Sequence, residues 1–495
     1  MFSLLICLCI LLTSCSDQTP KTTASTPQKD TPSALSPPQT GCLGCHPFTL
    51  DRSHNLSCIS CHNGDNSTSD KNLAHETATA KPAHPDNMAK VCGSCHAEIV
   101  KAAQHSLHFT LKNEVNTVRK AFGSTTDLTS LHEIPDDNFP TTALGLVDDL
   151  LRRRCLRCHP YYSGDAYGAV VHGTGCAACH LEYQDGRLSS HKFMAKPNDK
   201  QCLSCHYGNY VGADYYGKFE QDFNWDYWTP FTTDGEQERP YGVGQHLLRP
   251  DIHQLKGLSC IDCHSGASLK SNGSTHITCI SCHLWDQQPK SPRPDNLEVA
   301  DNTVILTTKL TNKKIIVPQL SHPAHSKYIK TVGCQVCHAQ WSFADKGTHL
   351  FRQDNNDYEL WQALTRQGSS EVEFQLEANL FQGNDQSDAF MADKISGQFK
   401  IGLWLKGYEL RRWEAIETCQ DDNGMMQVCR SPHNLHLTYV NLDGDLVFDS
   451  VGISLETPDK IPYVPHTTGK AGAFFVNRID KINSTTNTPK PENSP

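Results

Sequence analysis

The chain has 495 residues, enough for two or three domains, and a formal net charge of −10. This negative balance argues against nucleic acid as a partner, because phosphate contacts need a basic surface. Only 20% of the residues are charged, which excludes a disordered acidic protein.

The first fifteen residues predict export. The apolar run 2–12, FSLLICLCILL, is too short to span a bilayer. It leads to Leu-Thr-Ser-Cys, which resembles a bacterial lipoprotein signal box, so Cys15 is predicted to be the lipidated first residue of the mature protein. Ser16 after it favours, by the same resemblance, the outer membrane, on its periplasmic or cell-surface face. No Lys or Arg precedes the run, so a plain signal peptide and a soluble periplasmic protein are the alternative.

Residues 16–40 are rich in Pro, Ser and Thr. Such a segment cannot bury apolar area, and it predicts an extended tether between the membrane and the folded part.

Nine C-x-x-C-H motifs follow between residues 42 and 338. This is the attachment signature of c-type haem: two thiols bond to the porphyrin and the adjoining His is the proximal iron ligand. The attachment cysteines are Cys42, Cys45, Cys58, Cys61, Cys92, Cys95, Cys155, Cys158, Cys176, Cys179, Cys202, Cys205, Cys260, Cys263, Cys279, Cys282, Cys334 and Cys337. The proximal ligands are His46, His62, His96, His159, His180, His206, His264, His283 and His338.

Zinc is the rival interpretation of paired cysteines. Zinc ribbons use pairs of pairs and place no demand on the residue after the second Cys, whereas here the number of motifs is nine and that residue is always His. The pattern therefore predicts nine covalently bound haems, each with its iron.

The sixth iron ligands are predicted to be histidines. Of 26 His, 26 − 9 leaves 17 for nine irons, while only Met88 and Met194 lie among the motifs. The motifs fall into three groups of three, and one His from each corresponding slot gives the predicted distal set. That set is His54, His84, His105, His172, His191, His253, His276, His325 and His349. The same slots also hold His75, His108, His246 and His322, so the choice within them stays open.

Two segments of the motif region carry a secondary-structure signal. Residues 96–111 predict an amphipathic helix with Ile99, Ala103 and Leu107 on one face. Residues 301–320 alternate and turn like a β-hairpin inserted in the third group. Four arginines around Cys155, at positions 152, 153, 154 and 157, are candidates for binding haem propionates, or form a solvated basic helix face.

The motifs end before a predicted small β-rich domain, residues 367–481, with a polar tail at 482–495. Residues 399–413 alternate as a half-buried strand does. Cys419 and Cys429 flank an Asn-Gly turn, which predicts a cross-strand disulfide, and a second hairpin is predicted around the Asp-Gly of residues 443–444.

On these motifs, residues 42–338 resemble the multihaem c-type cytochromes of anaerobic bacteria. The resemblance implies a fold packed around its haems in residues 41–366, with short helices and loops and little regular sheet, followed by the mainly-β domain. It implies electron transfer by mostly bis-His, low-potential haems in anaerobic respiration, including transfer outside the cell, with other cytochromes or quinol-linked membrane complexes as partners. The alternative is an oxidoreductase with one open haem acting on nitrite, hydroxylamine or a sulfur oxyanion; a conductive filament is a third possibility.

Overall fold

The computed structural model describes residues 41–478, apart from 113, 209–211, 222–237, 271–276, 286–291, 344–347, 382–387, 408–412, 414–415, 431–434, 454–459 and 472–477. The predicted signal peptide, Cys15, the tether, His276 and the polar tail lie outside the described residues. Within the described part, no helix is long and apolar enough to cross a membrane.

Short helices dominate the motif region. The α-helices are α1 Cys42–Cys45, α2 Ile59–His62, α3 Lys71–His75, α4 Pro85–Val91, α5 Gly93–Gln104, α6 Val115–Ala121, α7 Ala143–Arg153, α8 Cys176–His180, α9 Asp199–Leu203, α10 Ile252–Lys256, α11 Cys260–Cys263, α12 Gly266–Leu269, α13 Cys279–His283, α14 Pro323–Tyr328, α15 Cys334–His338 and α16 Ser370–Leu380. Single 3₁₀ turns span Leu131–Glu133, Cys155–Cys158, Ala213–Tyr216 and Glu359–Leu364.

The strands form small sheets. They are β1 Tyr183–Gln184, β2 Arg187–Leu188, β3 Lys218–Glu220, β4 Gln245–Leu247, β5 Leu297–Ala300, β6 Thr303–Thr307, β7 Lys314–Ile316, β8 Thr348–Gln353, β9 Phe390–Ala392, β10 Phe399–Ile401, β11 Leu403–Lys406, β12 Thr418–Gln420, β13 Met426–Arg430, β14 Leu435–Val440, β15 Leu446–Val451 and β16 Ile461–Pro462. The largest sheet has the order β11-β8-β14-β15, in which β14 is parallel to β8 and the other neighbours are antiparallel.

The C-x-x-C-H motifs lie on single helical turns. In the third group, for example, helices α11, α13 and α15 each begin at the first Cys of a motif. Residues three and four apart share one face of a helix. A helical turn therefore directs both thiols and the following imidazole to the same side, which is the arrangement that one attached porphyrin needs.

A conventional core lies beside the motif region. Helix α7 buries Leu146, Val147, Leu150 and Leu151 against Trp404 and its neighbours from the largest sheet. The same cluster includes side chains of α6 and of α16. This unit is therefore built from two distant parts of the chain, roughly 111–156 and 348–453.

This arrangement moves the predicted domain boundary. Strand β8 is central to the largest sheet and precedes residue 367, the predicted start of the β-rich domain. The core of this sheet also includes α7, which comes from between the first and second motif groups. Sequence alternation finds strands but does not show which distant helix completes their core.

Three of the four arginines that are predicted to bind haem propionates form ion pairs or backbone hydrogen bonds within this core. Arg153 pairs with Asp149 at 2.8 Å and is fully buried, and Arg152 pairs with Asp393 at 2.6 Å. Arg154 donates to the carbonyl oxygens of Trp404 and Gln367. For Arg152 and Arg153 both predictions are wrong: these side chains form neither a solvated face nor part of the motif cavity, but join α7 to the sheet.

Two local predictions can be compared directly with the structure. The 301–320 hairpin forms as β6 and β7, with Ile305 opposite Ile316, and β5 adds a third strand. Helix α5 ends at Gln104, so the predicted helix through residue 111 is too long. The predicted apolar face is correct for Ala103, which is buried together with Val100, and wrong for Ile99, which is 49% exposed.

The structure joins Cys419 and Cys429 by a disulfide. In the ladder Cys419 lies opposite Gln427, so the bridge runs diagonally and not between directly opposite residues. Strand β13, which contains Cys429, packs Met426 and Val428 on Val332 and Val336 beside the last motif. The second hairpin forms as β14 and β15.

Candidate haem sites

One large cavity lies along the second and third motif groups. Its volume is about 3340 Å³, whereas a pocket for one small molecule or cofactor has roughly 300–1,000 Å³. The motif cysteines that line it are Cys155, Cys158, Cys176, Cys179, Cys202, Cys205, Cys260, Cys263, Cys279, Cys282, Cys334 and Cys337. All six proximal histidines of these motifs line it as well. The space and its donor atoms therefore fit several attached haems side by side.

Histidine rings face one another in pairs at a nearly constant distance. Seven pairs each join one motif histidine to one other histidine. The ring-centre distances are His46–His75 6.0 Å, His62–His191 6.2 Å, His96–His54 6.3 Å, His206–His108 6.2 Å, His264–His466 6.3 Å, His283–His253 6.0 Å and His338–His325 6.1 Å.

This distance fits the two axial ligands of one haem iron. An iron–nitrogen bond is about 2 Å long and a ring centre lies about 1.1 Å behind its nitrogen, so two axial imidazoles place their centres about 6.2 Å apart. The distance alone is not specific, since His322 lies 6.3 Å from His325 on the same helix. What distinguishes the seven pairs is that every one contains a motif histidine and no histidine is used twice.

Hydrogen bonds hold many of these rings by Nδ1. Among the motif histidines, Nδ1 lies 3.0 Å from the Thr79 carbonyl in His62, 2.8 Å from that of Pro318 in His283 and 3.0 Å from that of Gly469 in His338. Nδ1 donates to the carbonyl in these contacts. Such a bond fixes the tautomer and leaves Nε2 free to bind a metal.

Carboxylates lie beside Nδ1 of three of the facing histidines, within hydrogen-bond distance for His54 and His253 and at ion-pair distance for His466. Asp51 lies 2.9 Å from Nδ1 of His54, Asp251 lies 2.8 Å from Nδ1 of His253, and Asp214 lies 3.7 Å from Nδ1 of His466. Burial alone would lower the pKa of His466, but the neighbouring carboxylates of Asp214 and Asp251 raise it above its ordinary value. A carboxylate behind an imidazole orients the ring and increases its basicity as a ligand.

Four of the predicted distal ligands face a motif histidine: His54, His191, His253 and His325. In two other slots a neighbouring histidine faces the motif histidine instead of the predicted one. These are His75 in place of His84 and His108 in place of His105. His466 lies in the C-terminal segment, and nothing in the spacing of the motifs indicates it. The sequence indicates His466 as a ligand only through the count of histidines, most of which are predicted to bind iron.

The other predicted distal ligands are placed differently. His84 caps helix α4 and contacts Tyr161, and His105 ends helix α5 at its exposed side. His172 is buried with Nε2 3.4 Å from the Cys205 sulfur, not across from a motif ring. His349 stacks on His436 at 4.8 Å on the sheet, too close for an iron between them. His276 lies outside the described residues.

Two motif histidines differ from the other seven. In the described part of the chain, no imidazole faces His159 or His180 at the ring distance of the pairs. Nδ1 of His180 lies 2.7 Å from the Met194 carbonyl, a contact like those of His62, His283 and His338. His159 is buried with neither ring nitrogen hydrogen-bonded, and burial, with a smaller effect of nearby His108, lowers its pKa to about 4.

Contacts between motif cysteines give the order of the motifs in space. First cysteines lie close together in four pairs: Cys42 with Cys58, Cys92 with Cys176, Cys202 with Cys260 and Cys279 with Cys334. Second cysteines connect one pair to the next, through Cys61 near Cys92, Cys179 near Cys202 and Cys263 near Cys282. Eight motifs thus form one line. The motif at Cys155 adjoins the line at its side, through Cys158 near Cys205.

This order differs from the three-by-three grouping predicted from the sequence. The pair Cys92–Cys176 joins the first group to the second, and the pair Cys202–Cys260 joins the second to the third. Spatial pairs therefore cross the sequence groups, and the repeat in space is a pair of motifs with one motif left over.

A zinc site would show three or four converging ligands. Among the described residues, no group of three or more His, Cys, Asp or Glu side chains is placed to hold a metal ion. A haem iron needs only two protein ligands on opposite sides, which is the arrangement of the seven ring pairs.

Comparison with known protein families, with characterised proteins and with solved structures finds no match to this chain.

Proposed function

We propose that this protein is a nine-haem c-type cytochrome that carries electrons along a line of eight haems. The observation that carries the proposal is the set of seven histidine pairs at 6.0–6.3 Å, each with one motif histidine. A haem iron with two histidine ligands exchanges one electron and has a lower potential than one with a methionine ligand.

The chain's own residues set the geometry of this line. Paired first cysteines keep successive attachment points in contact, and buried or half-buried carboxylates and carbonyls orient the ligand rings. The line ends at the motifs of Cys42 and Cys334, which have contacts to one neighbouring motif each. These two ends are the expected points of exchange with partners, which we propose to be other redox proteins such as cytochromes or quinol-linked complexes.

We propose further that the protein is exported and is anchored to the outer membrane through Cys15, as residues 1–15 predict. Covalent haem attachment is consistent with an exported protein. Mass spectrometry of the mature protein tests this: a lipid-modified N-terminal Cys15 is expected, and an unmodified N-terminus would contradict the anchor.

The cofactor and its ligands can be tested together. Mass spectrometry of the purified protein is expected to show nine covalent haems, and bound zinc in their place would refute the proposal. Electron paramagnetic resonance of the His466→Ala variant should show one low-spin haem converted to high spin, because His264 loses the ring opposite it. His436→Ala is the matched control, since His436 stacks on His349 away from the motifs and its replacement should leave the spectrum unchanged.

A further inference from the structure

The carboxylate of Asp251 lies between two successive motifs of the line. It is buried, it caps the N-terminus of helix α10 and it lines the motif cavity. Its charge acts on Cys263, in the motif that begins at Cys260, and on Cys279, the first cysteine of the next motif. These two motifs adjoin each other in the line, so one buried charge acts on two neighbouring motifs.

Asp251 holds the histidine that faces the second of these motifs. One of its oxygens accepts hydrogen bonds from the backbone N–H of His253 and from Nδ1 of the same residue, both at 2.8 Å. The ring of His253 faces that of His283 at 6.0 Å. The carboxylate therefore lies directly behind one proposed axial ligand of the Cys279 motif.

The other oxygen of Asp251 holds the segment that carries the facing histidine of the first motif. It accepts a hydrogen bond from the Thr468 backbone N–H at 2.6 Å. His466, two residues before Thr468, faces His264 at 6.3 Å. The charge of Asp251 also acts on His466, together with that of Asp214, which accepts a hydrogen bond from the His466 backbone N–H at 2.8 Å. One carboxylate is thus shared by the ligand-bearing segments of two motifs.

Asp51, the carboxylate behind His54, provides a comparison. It lies 2.9 Å from Nδ1 of His54, whose ring faces that of His96 in the Cys92 motif. The side chain of Asp51 is 20% exposed, whereas that of Asp251 is 3% exposed. Water screens an exposed charge more than a buried one, so Asp251 should have the stronger effect on an iron beside it.

A negative charge behind an axial imidazole stabilises the oxidised iron, because that iron carries one more positive charge than the reduced iron. Hydrogen bonding to the ligands and burial are among the means by which a protein sets the potential of a haem. We propose that Asp251 is a positioning residue shared by the haems of the Cys260 and Cys279 motifs. Together with Asp214 it makes them a low-potential pair within the line. This inference rests on the proposed haem attachment and deepens it, since it makes the carriers unequal.

The position of the pair decides what the unequal potentials do to electron flow. The motifs of the line follow one another in the order Cys42, Cys58, Cys92, Cys176, Cys202, Cys260, Cys279 and Cys334. In a partly reduced protein, electrons therefore occupy haems on both sides of the pair, while the pair itself is reduced last. The haem at Cys334 is then separated from the first five by a step in potential.

The test is a redox titration of the holoprotein, followed by the electron paramagnetic resonance signals of its ferric low-spin haems. Asp251→Asn removes the charge but keeps an oxygen that accepts from His253. We expect two of the nine haems to be reduced at a higher potential than in the wild type, with both still low-spin. Asp251→Glu, which keeps the charge, should return the potentials towards those of the wild type. Asp445→Asn, the matched control, changes an exposed carboxylate between β14 and β15 and should not alter the titration.

Further variants identify the haems that respond. In His466→Ala, where the Cys260 haem has lost its low-spin signal, the addition of Asp251→Asn should shift one low-spin haem instead of two. Asp51→Asn should shift one haem by less than Asp251→Asn shifts either of its two. A larger shift in Asp51→Asn would overturn the assignment of the low-potential pair to Asp251.

An unchanged titration in Asp251→Asn, or a shift of one haem only, would overturn the proposal if both haems stay low-spin. If Asp251→Asn instead converts either haem to high spin, Asp214→Asn decides. The same effect of charge should raise the potential of the Cys260 haem in that variant, and an unchanged titration there would overturn the proposal. Failure of the haem attachment itself is separate, because it appears as a low haem count in the wild type before any titration.

Discussion

The first motif group and the sheet unit are stabilised in opposite ways. Helices α1, α2 and α3 bury no side chain, and Phe48, Leu56 and Leu73 are 41%, 53% and 58% exposed. Helix α7 instead buries eight of its 11 residues, including four charged ones. The sheet unit is held by its own side chains, whereas the first motif group exposes apolar side chains that an attached porphyrin would cover.

The two regions therefore differ in what stabilises their helices. Helices of four or five residues are unstable by themselves, because nucleation costs more than so few hydrogen bonds return. On the proposed haem attachment, that cost is met in the motif region by the cofactors and their axial ligands. In the sheet unit it is met by burial of Leu, Val and Trp side chains with paired charges.

The largest expected effect is the loss of the motif region when haem is not attached. In protein made without haem attachment, amides of residues 41–110 should exchange with solvent within seconds, while those of α7 and β8 stay protected, because their core needs no cofactor. Hydrogen-exchange mass spectrometry of haem-free and haem-loaded protein measures this. Equal protection of residues 41–110 in both forms would show that the motif region folds without its cofactors.

A smaller but still large effect is expected from breaking one buried ion pair of the sheet unit. Arg119 lies 2.7 Å from Asp148, and their side chains are 5% and 3% exposed. Arg119→Met leaves the Asp148 carboxylate buried without its partner, which costs about 3–5 kcal/mol in the free energy of unfolding. Urea unfolding followed by tryptophan fluorescence measures it.

The next residue provides the matched control. Lys120 pairs with Asp127 at 2.7 Å, but these side chains are 54% and 55% exposed. Lys120→Met should change the free energy of unfolding by less than about 1 kcal/mol, because water screens and replaces the pair. Equal effects of the two variants would mean that the Arg119–Asp148 pair is not buried in solution.

The sequence predicts the local features of both regions but not the contacts between distant parts of the chain. The nine motifs and their proximal histidines are local patterns, and local turns place both hairpins correctly. The histidine that faces each motif histidine is not local: His191 faces His62 and His466 faces His264, across about 130 and 200 residues of chain. The burial of Arg153 could not be predicted from local sequence, because it depends on Asp149 and on sheet carbonyls that only the tertiary fold brings near.

The disulfide tests where the two regions meet. Cys419 and Cys429 close a loop with a sequence separation of 10, and loss of such a bridge costs about 2–3 kcal/mol of local stability. In Cys419→Ser with Cys429→Ser, amide exchange should rise in β13 and at Gly333, whose N–H donates to the Met426 carbonyl. Protection of α7 should not change. Uniform destabilisation of both regions would show that the hairpin belongs to the core of the sheet unit.

The smallest effect concerns pH and one carboxylate of the sheet unit. Burial of Asp393 would raise its pKa, but hydrogen bonds from Arg152, the Ser396 backbone and Lys400 prevail and lower the pKa to about 2. A carboxyl group with a lowered pKa in the folded state stabilises that state above its ordinary pKa, and this contribution is lost as the pH falls towards the folded value. The stabilisation by Asp393 should therefore be complete above about pH 5 and decline between about pH 4 and pH 2.

Asp393→Asn isolates this contribution. The difference in free energy of unfolding between the wild type and this variant, from urea unfolding at a series of pH values, should be constant from pH 5 to pH 7 and shrink below about pH 4. The ion-pair partners of Asp393 in the described part of the chain, Arg152 and Lys400, lie on α7 and in the sheet unit, so the difference reports on that unit. A difference that does not vary between pH 5 and pH 2 would mean that the Arg152 pair is not what holds this carboxylate ionised.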